Sequence, residues 1–265
     1  EFGVEHKYSF AIFNQKPTIA QVNAANIPVK HRLSKLVVIS PIPSEEIENI
    51  EWDRFINIFG GPVVSSSVLE PEFKHALYTL GINKLPENLT GKADDLFEIF
   101  VRNALEFLFD CRVVRYGQDR RFEARPDGIV ILGKGFTALY DAKAYSNGYE
   151  VTIDSIRQFK SYIEEFRRRY SQYFEINTFI VVSGFFPQRE STLHDRTREL
   201  QAEARVPLSF LDATTFGEII ELLSAVPWAR RSIDWRKIFS HPIISKRLIE
   251  QELEILVKDK ILPNS

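Results

Sequence analysis

The segment from Pro126 to Lys143 constrains the fold more than any other part of the chain. It reads Pro-Asp-Gly, an apolar β-branched run to Leu132, the short loop Gly133-Lys134-Gly135, a second strand-like run from Phe136, and then Asp141-Ala142-Lys143. Two apolar runs joined by a glycine loop predict a hairpin. A loop centred on Lys134 sets Asp127 opposite Asp141, and directly opposed residues of antiparallel strands have Cβ atoms about 4.5 to 5.5 Å apart. Side chains alternate along a strand, so Phe136, Ala138, Tyr140 and Ala142 share one face while Leu139, Asp141 and Lys143 share the other. Two carboxylates and one ammonium group thereby converge at the end of an otherwise apolar strand.

Each half of this pattern also has an ordinary reading. Pro-Asp-Gly is good turn chemistry, with proline presetting φ and glycine accepting positive φ. Asp141 and Lys143 alone make a same-face ion pair contributing at most about 1 kcal/mol if exposed. Together they differ from either, because two acids and a lysine at the end of a buried strand cost stability unless a ligand compensates. Two carboxylates within reach of one point suit a hard, oxygen-ligated cation such as magnesium.

The run Arg-Pro-Asp-Gly followed by Asp141-Ala-Lys-Ala-Tyr-Ser-Asn-Gly-Tyr149 resembles the cleavage module of the FokI-type (type IIS) restriction endonucleases within the PD-(D/E)xK superfamily. The resemblance extends to Asp95-Leu-Phe-Glu98 and the helix through Phe109, to Gln158-x-x-x-Tyr162-x-Glu164-Glu165, to Phe179 through Phe185, and to Val206 through Leu223. It spans residues 91 to 223. It implies an α/β fold with a PD-(D/E)xK restriction-endonuclease-like core, a mixed central sheet flanked by helices, with additions at both ends. The expected division is an ancillary segment 1–90, a nuclease core 91–225 and a helical extension 226–265.

The resemblance further implies a Mg2+-dependent DNA endonuclease, with Mn2+ as a substitute, acting on double-stranded DNA and leaving 5'-phosphate and 3'-hydroxyl ends. Asp127, Asp141 and the carbonyl of Ala142 would hold the ion, Lys143 would act on the attacking water, and Glu98 would support the site from the first helix. In the family an Asp and an Arg one turn apart on the central helix pair two cutters. Arg157 and Ser161 stand at those positions here, which leaves a homodimer, a heterodimer or a strand-nicking subunit open. Two rival readings are another nuclease of the superfamily, such as a junction resolvase or repair nuclease, and a non-cutting DNA-binding or assembly subunit.

Composition agrees. The chain has 265 residues, 44% of them hydrophobic, and a formal charge of −2. Affinity for duplex DNA comes largely from cationic contacts to phosphate, so a near-neutral cutter is expected to be delivered by something else. Arg115, Arg120, Arg121 and Arg125 lead into Pro126 and are candidate phosphate contacts. Cys111 is the single cysteine, which excludes an intrachain disulfide or thiolate zinc cluster. No apolar run of about 18 residues and no signal-like leader appear, so a cytoplasmic protein without a membrane segment is expected. The chain opens with Glu1 and has no methionine, and is read as a piece of a longer polypeptide.

Elsewhere, Tyr8–Phe13 and Leu36–Ser40 predict strands, and Ser44–Phe59 and Glu72–Leu80 predict helices. Leu96, Phe100, Ala104, Phe107 and Leu108 predict the buried stripe of one helix, and Ile156, Phe159, Ile163, Phe166 and Tyr170 that of another. Ser245–Lys258 predicts an amphipathic helix packing through Ile249, Leu253 and Leu256. His194-Asp195 reads as a solvated helix face.

Overall fold

The computed structural model describes residues 7–12, 34–39, 66–111, 113–115, 125–132, 136–171 and 175–258. The helix expected at Ser44–Phe59, the glycine loop around Lys134, and Arg112, Arg120 and Arg121 lie outside the described residues. Contacts divide the chain into two units, Glu1–Val63 and Val64–Ser265. In the first, β1 (Lys7–Ile12) pairs in parallel with β2 (Ser34–Ile39), starting one and two residues before their predicted starts.

The second unit is built on a five-stranded sheet in the order β3-β4-β5-β6-β7. Its strands are β3 (Val113–Arg115), β4 (Gly128–Leu132), β5 (Phe136–Lys143), β6 (Thr178–Ser183) and β7 (Leu208–Asp212). The pairs β3–β4 and β4–β5 are antiparallel, while β5–β6 and β6–β7 are parallel. A parallel pair needs a crossover, and two successive right-handed crossovers in one direction place both helices on one face. Accordingly α3 (Ile153–Tyr170) and α4 (Glu190–Ala204) pack together on the face bearing Ile129, Leu139, Phe179 and Val181. The predicted stripe holds at Ile156, Phe159, Ile163 and Phe166, each buried and each worth roughly 1.5 to 3 kcal/mol. Thr152 and Ser155 close a reciprocal capping box at the start of α3.

The opposite face carries α1 (Pro71–Gly81), α2 (Ala93–Phe109) and α5 (Ala213–Ala225). Two short helices, α6 (Ala229–Ser232) and α7 (Trp235–Ile238), and then α8 (Lys246–Lys258) complete this layer. Phe109 lies at its centre, with Phe136, Trp235 and Phe239 ring centroids 5.5, 5.2 and 5.5 Å away. The buried stripe of α2 is broader than the prediction. Ala104, Phe107 and Leu108 are buried as expected and Phe97, Val101 and Leu105 are buried besides, whereas Leu96 and Phe100 are half-buried. This helix is apolar on more than one side, and Phe100 is covered by stacking on Phe73 of α1 at 5.0 Å.

Residue 90, the expected end of the ancillary segment, falls inside the second unit. There α1 packs on α2 and α5, and its Gly81 backbone meets Gly184 after β6 so closely that a Cβ at Gly81 would lie 2.7 Å from Gly184 Cα. On α8, Ile249 and Leu256 are buried and Leu253 is half-buried, as its spacing predicted. His194 and Asp195 are exposed, and Asp195 pairs with Arg198. Among the described residues no helix is long and apolar enough to cross a membrane.

Candidate active site

The hairpin register places Gly128 opposite Tyr140 and Leu132 opposite Phe136. One step further along the ladder, Asp127 faces Asp141 as the sequence predicts. The backbone N–H of Asp127 donates to Asp141 Oδ1 at 3.2 Å, and the N–H of Ala142 donates to Asp127 Oδ2 at 2.7 Å. The strand pair thus ends in carboxylates where backbone groups would otherwise meet.

Pro126 explains part of this ending. A residue's N–H and C=O leave a strand on the same side, and the Lys143 carbonyl accepts from Ser183 on the β6 side. The preceding residue, Ala142, therefore turns both its groups toward the β4 side, where its N–H meets Asp127. The ladder partner of its carbonyl would be the N–H of residue 126, and proline has none.

Gly128 is required for a different reason from the one its turn-like context implies. It is not among the residues with positive φ; it opens β4. A Cβ there would lie 2.3 Å from the Val114 carbonyl oxygen and 2.5 Å from the Tyr140 ring and hydroxyl. The Pro-Asp-Gly run is a strand start under close approach from both neighbours, not a turn.

Lys143 Nζ lies 2.7 Å from Asp141 Oδ2, with Asp141 1% exposed and Lys143 19%. The contact is close but poorly aligned as a hydrogen bond, so Oδ2 is buried with a countercharge and without a directed donor. Charge on this patch does not balance, since two carboxylates share one ammonium. Burial, and then repulsion from Asp141, push the Asp127 carboxyl well above the usual range, against the opposing pull of Lys143. Burial works against the Lys143 charge, but Asp141 and Asp127 outweigh it and hold its pKa above the ordinary lysine range. A divalent cation would relieve both the excess charge and the buried oxygen, so the donor set fits one. The two carboxylates are joined by no further acid, histidine or cysteine: among the described residues no group of three or more such side chains is gathered.

Glu98 lies within the electrostatic reach of Asp127 and is itself paired with Arg115. Its Oε2 accepts from Arg115 Nε at 3.0 Å and Nη2 at 2.5 Å, joining α2 to β3. Arg115, read from the sequence as a phosphate contact, thus has its guanidinium held by a carboxylate. Arg125 is half-buried next to Pro126. Sequence reasoning missed how the site is braced: the N–H of Tyr145, two residues past Lys143, donates to the Gly81 carbonyl at 3.1 Å, so α1 anchors the segment leaving the site. Gly81 and Gly184 were the signal available. On the other side, Tyr149 donates to Ser155 at 2.9 Å and Gln158 donates to Tyr162 at 2.5 Å, both within the electrostatic reach of Asp141 and Lys143.

Comparison with known proteins bears on the family and the fold. A family model described as "FokI, cleavage domain" matches residues 66–243, extending past both ends of the stretch expected from sequence. Among solved structures, that of restriction endonuclease FokI aligns at TM-score 0.50 and 17% identity, over 80% of this chain and 36% of that one. The structure of FokI bound to DNA aligns at 0.49 and 15%, over 80% and 37%. The chain therefore spans little more than a third of the proteins whose fold it shares. No curated protein matches it. With the family match covering about two thirds of its length, the chain belongs to the FokI cleavage-domain family.

Proposed function

We propose that this chain is the DNA-cleaving module of a type IIS restriction endonuclease and hydrolyses phosphodiester bonds with Mg2+, Mn2+ serving as a substitute. The observation that carries the reading is the convergence of Asp127, Asp141 and Lys143 at one sheet end, with more negative charge than the lysine neutralises. Asp127, Asp141 and the Ala142 carbonyl would hold the ion. When bound, the ion supplies polarisation of a phosphoryl oxygen and acidification of water.

The chain's own groups do the rest. Lys143, kept protonated by the acid pair, orients the attacking water and offsets charge gathering on the phosphorus as the water oxygen bonds to it and the P–O3' bond breaks. Asp141 fixes the ammonium through the ion pair. Double-stranded DNA is the partner, in a cytoplasmic setting. Pairing with a second copy through α3 would use contacts other than the family's Asp and Arg, because Arg157 and Ser161 stand at those positions.

Incubation with plasmid and Mg2+ tests the reading. Wild type should cut, and Asp127→Ala and Asp141→Ala should fold but lose cleavage. Wild-type rates in either variant would refute it.

A further inference from the structure

Two aromatic side chains stand just past the strand ends that carry the candidate site, and both are exposed. Tyr145 is two residues beyond Lys143 on β5, and Phe185 is two residues beyond Ser183 on β6, the register partner of Lys143. Tyr145 is 51% exposed and Phe185 37%. Exposed apolar residues are common singly, but the loop that carries Tyr145 is held along its length. The Tyr145 N–H donates to the Gly81 carbonyl at 3.1 Å, its carbonyl accepts from the Gly148 N–H at 3.0 Å, and the Tyr149 N–H donates to the Phe185 carbonyl at 3.0 Å. The Gln188 side-chain amide then binds both backbone groups of Val151, at 2.8 and 2.9 Å. A Cβ at Gly148, whose φ is +77°, would lie 2.5 Å from the Phe185 ring.

The Tyr145 ring is turned toward the acid–lysine side of the sheet. It lies against the Tyr149 ring with centroids 5.5 Å apart and planes 30° from parallel, and the Tyr149 hydroxyl donates to Ser155 at the start of α3. That helix packs on the sheet face of Leu139, the face that Asp141 and Lys143 share. Two residues of chain span at most about 7 Å between Cα atoms, so whatever covers the exposed side of Tyr145 also meets Lys143. A protein partner seated there would close the patch to a phosphodiester. The occupant consistent with an open patch is the substrate strand itself. Its sugars are bonded directly to the phosphates and are reached without unpairing, whereas a base must first be drawn out of the stack.

We propose that the Tyr145 ring packs against the deoxyribose next to the scissile phosphate and so fixes where that phosphate sits relative to Asp127, Asp141 and Lys143. A ring held in place before binding loses little freedom on contact, and a reacting group displaced by about 1 Å can cost about 10²-fold in rate. The proposal rests on the cleavage reading above, and a binding measurement separates the two. In protein carrying 13C-tyrosine, the Tyr145 ring protons, assigned by their absence in Tyr145→Phe, should show nuclear Overhauser contacts to deoxyribose protons of a short duplex added in Ca2+. The amide resonances of Asp141, Ala142 and Lys143 are the internal reference. If those amides shift while the ring makes no sugar contact, the proposal is overturned and the cleavage reading stands. If they stay in place, duplex does not reach the patch and both fall.

The second measurement is the cleavage rate in Mg2+. Tyr145→Ala, shown to be folded by circular dichroism, should lower kcat about 10- to 100-fold, and Tyr145→Phe, which keeps the ring, should recover most of that loss. Undiminished cutting by folded Tyr145→Ala refutes the proposal. So does a Tyr145→Phe as slow as Tyr145→Ala, since the contact would then belong to the hydroxyl and not to the ring. A wild type that makes the sugar contact yet cuts nothing would instead sink the cleavage reading alone.

Discussion

The two faces of the central sheet are covered by the same kind of layer and end differently. Against the face of Phe136, Ala138, Tyr140 and Ala142, helices α1, α2, α5 and α8 close a continuous apolar core around Phe109. Against the other face, α3 and α4 pack just as tightly over Leu139, Phe179 and Val181, but the packing stops where Asp127, Asp141 and Lys143 begin. The same strand, β5, supplies both. Its even residues complete a core and its last odd residues leave an uncompensated charge. Both faces contribute to stability, but the chemistry gathers at the end of one, and the alternation of a single strand is enough to set it apart from the core on the other.

That separation can be broken from either side. The largest effect is expected from Lys143→Ala, which should slow plasmid cleavage by about 10²- to 10⁴-fold under conditions where circular dichroism shows the variant folded; a variant that cuts normally would remove Lys143 from the chemistry. On the dry face, Phe109→Ala should cost about 3 to 5 kcal/mol by urea unfolding, as truncation of a buried aromatic does, and should reduce cutting only as far as it unfolds the chain. Gly128→Ala lies between the two faces. Its added Cβ, forced against Val114 and Tyr140, should cost about 1 to 3 kcal/mol and shift the hairpin that carries Asp127, so stability and cleavage fall together. A fully active, fully stable Gly128→Ala would show that the close approach is not what this glycine serves.

The smallest effect sharpens the comparison through pH. The folded chain holds the Asp127 proton more tightly than the unfolded chain does, because burial and Asp141 raise its pKa. The stabilisation this gives is complete below the ordinary carboxylate range and is lost as pH rises through the raised value. Metal-free wild type should therefore lose Tm across that rise, whereas Asp127→Asn should not, and should melt above wild type near neutral pH. Parallel Tm curves for the two proteins would contradict the charge imbalance assigned to this end of the sheet.

How much of this was legible in the sequence follows from the range of the interactions involved. The hairpin, its register and the face shared by Asp141 and Lys143 depend on a period of two and a short loop, and those are local. The full width of the α2 stripe was not, because its residues are apolar on more than one side and the covering partner, Phe73 of α1, is distant in sequence. The capture of Glu98 by Arg115 likewise joins a helix to a strand that no spacing rule links. Gly128 was read for its φ when its function is the absence of a Cβ, a distinction visible only once Val114 and Tyr140 are in place.

The central claim is that Asp127 and Asp141 together hold a divalent cation. Titration of Mn2+ into the chain, with free manganese followed by electron paramagnetic resonance, tests it directly. Wild type should retain bound manganese that Mg2+ competes away, and Asp127→Ala and Asp141→Ala should each abolish that retention. Equal binding by wild type and both variants, or no binding by wild type, would contradict it.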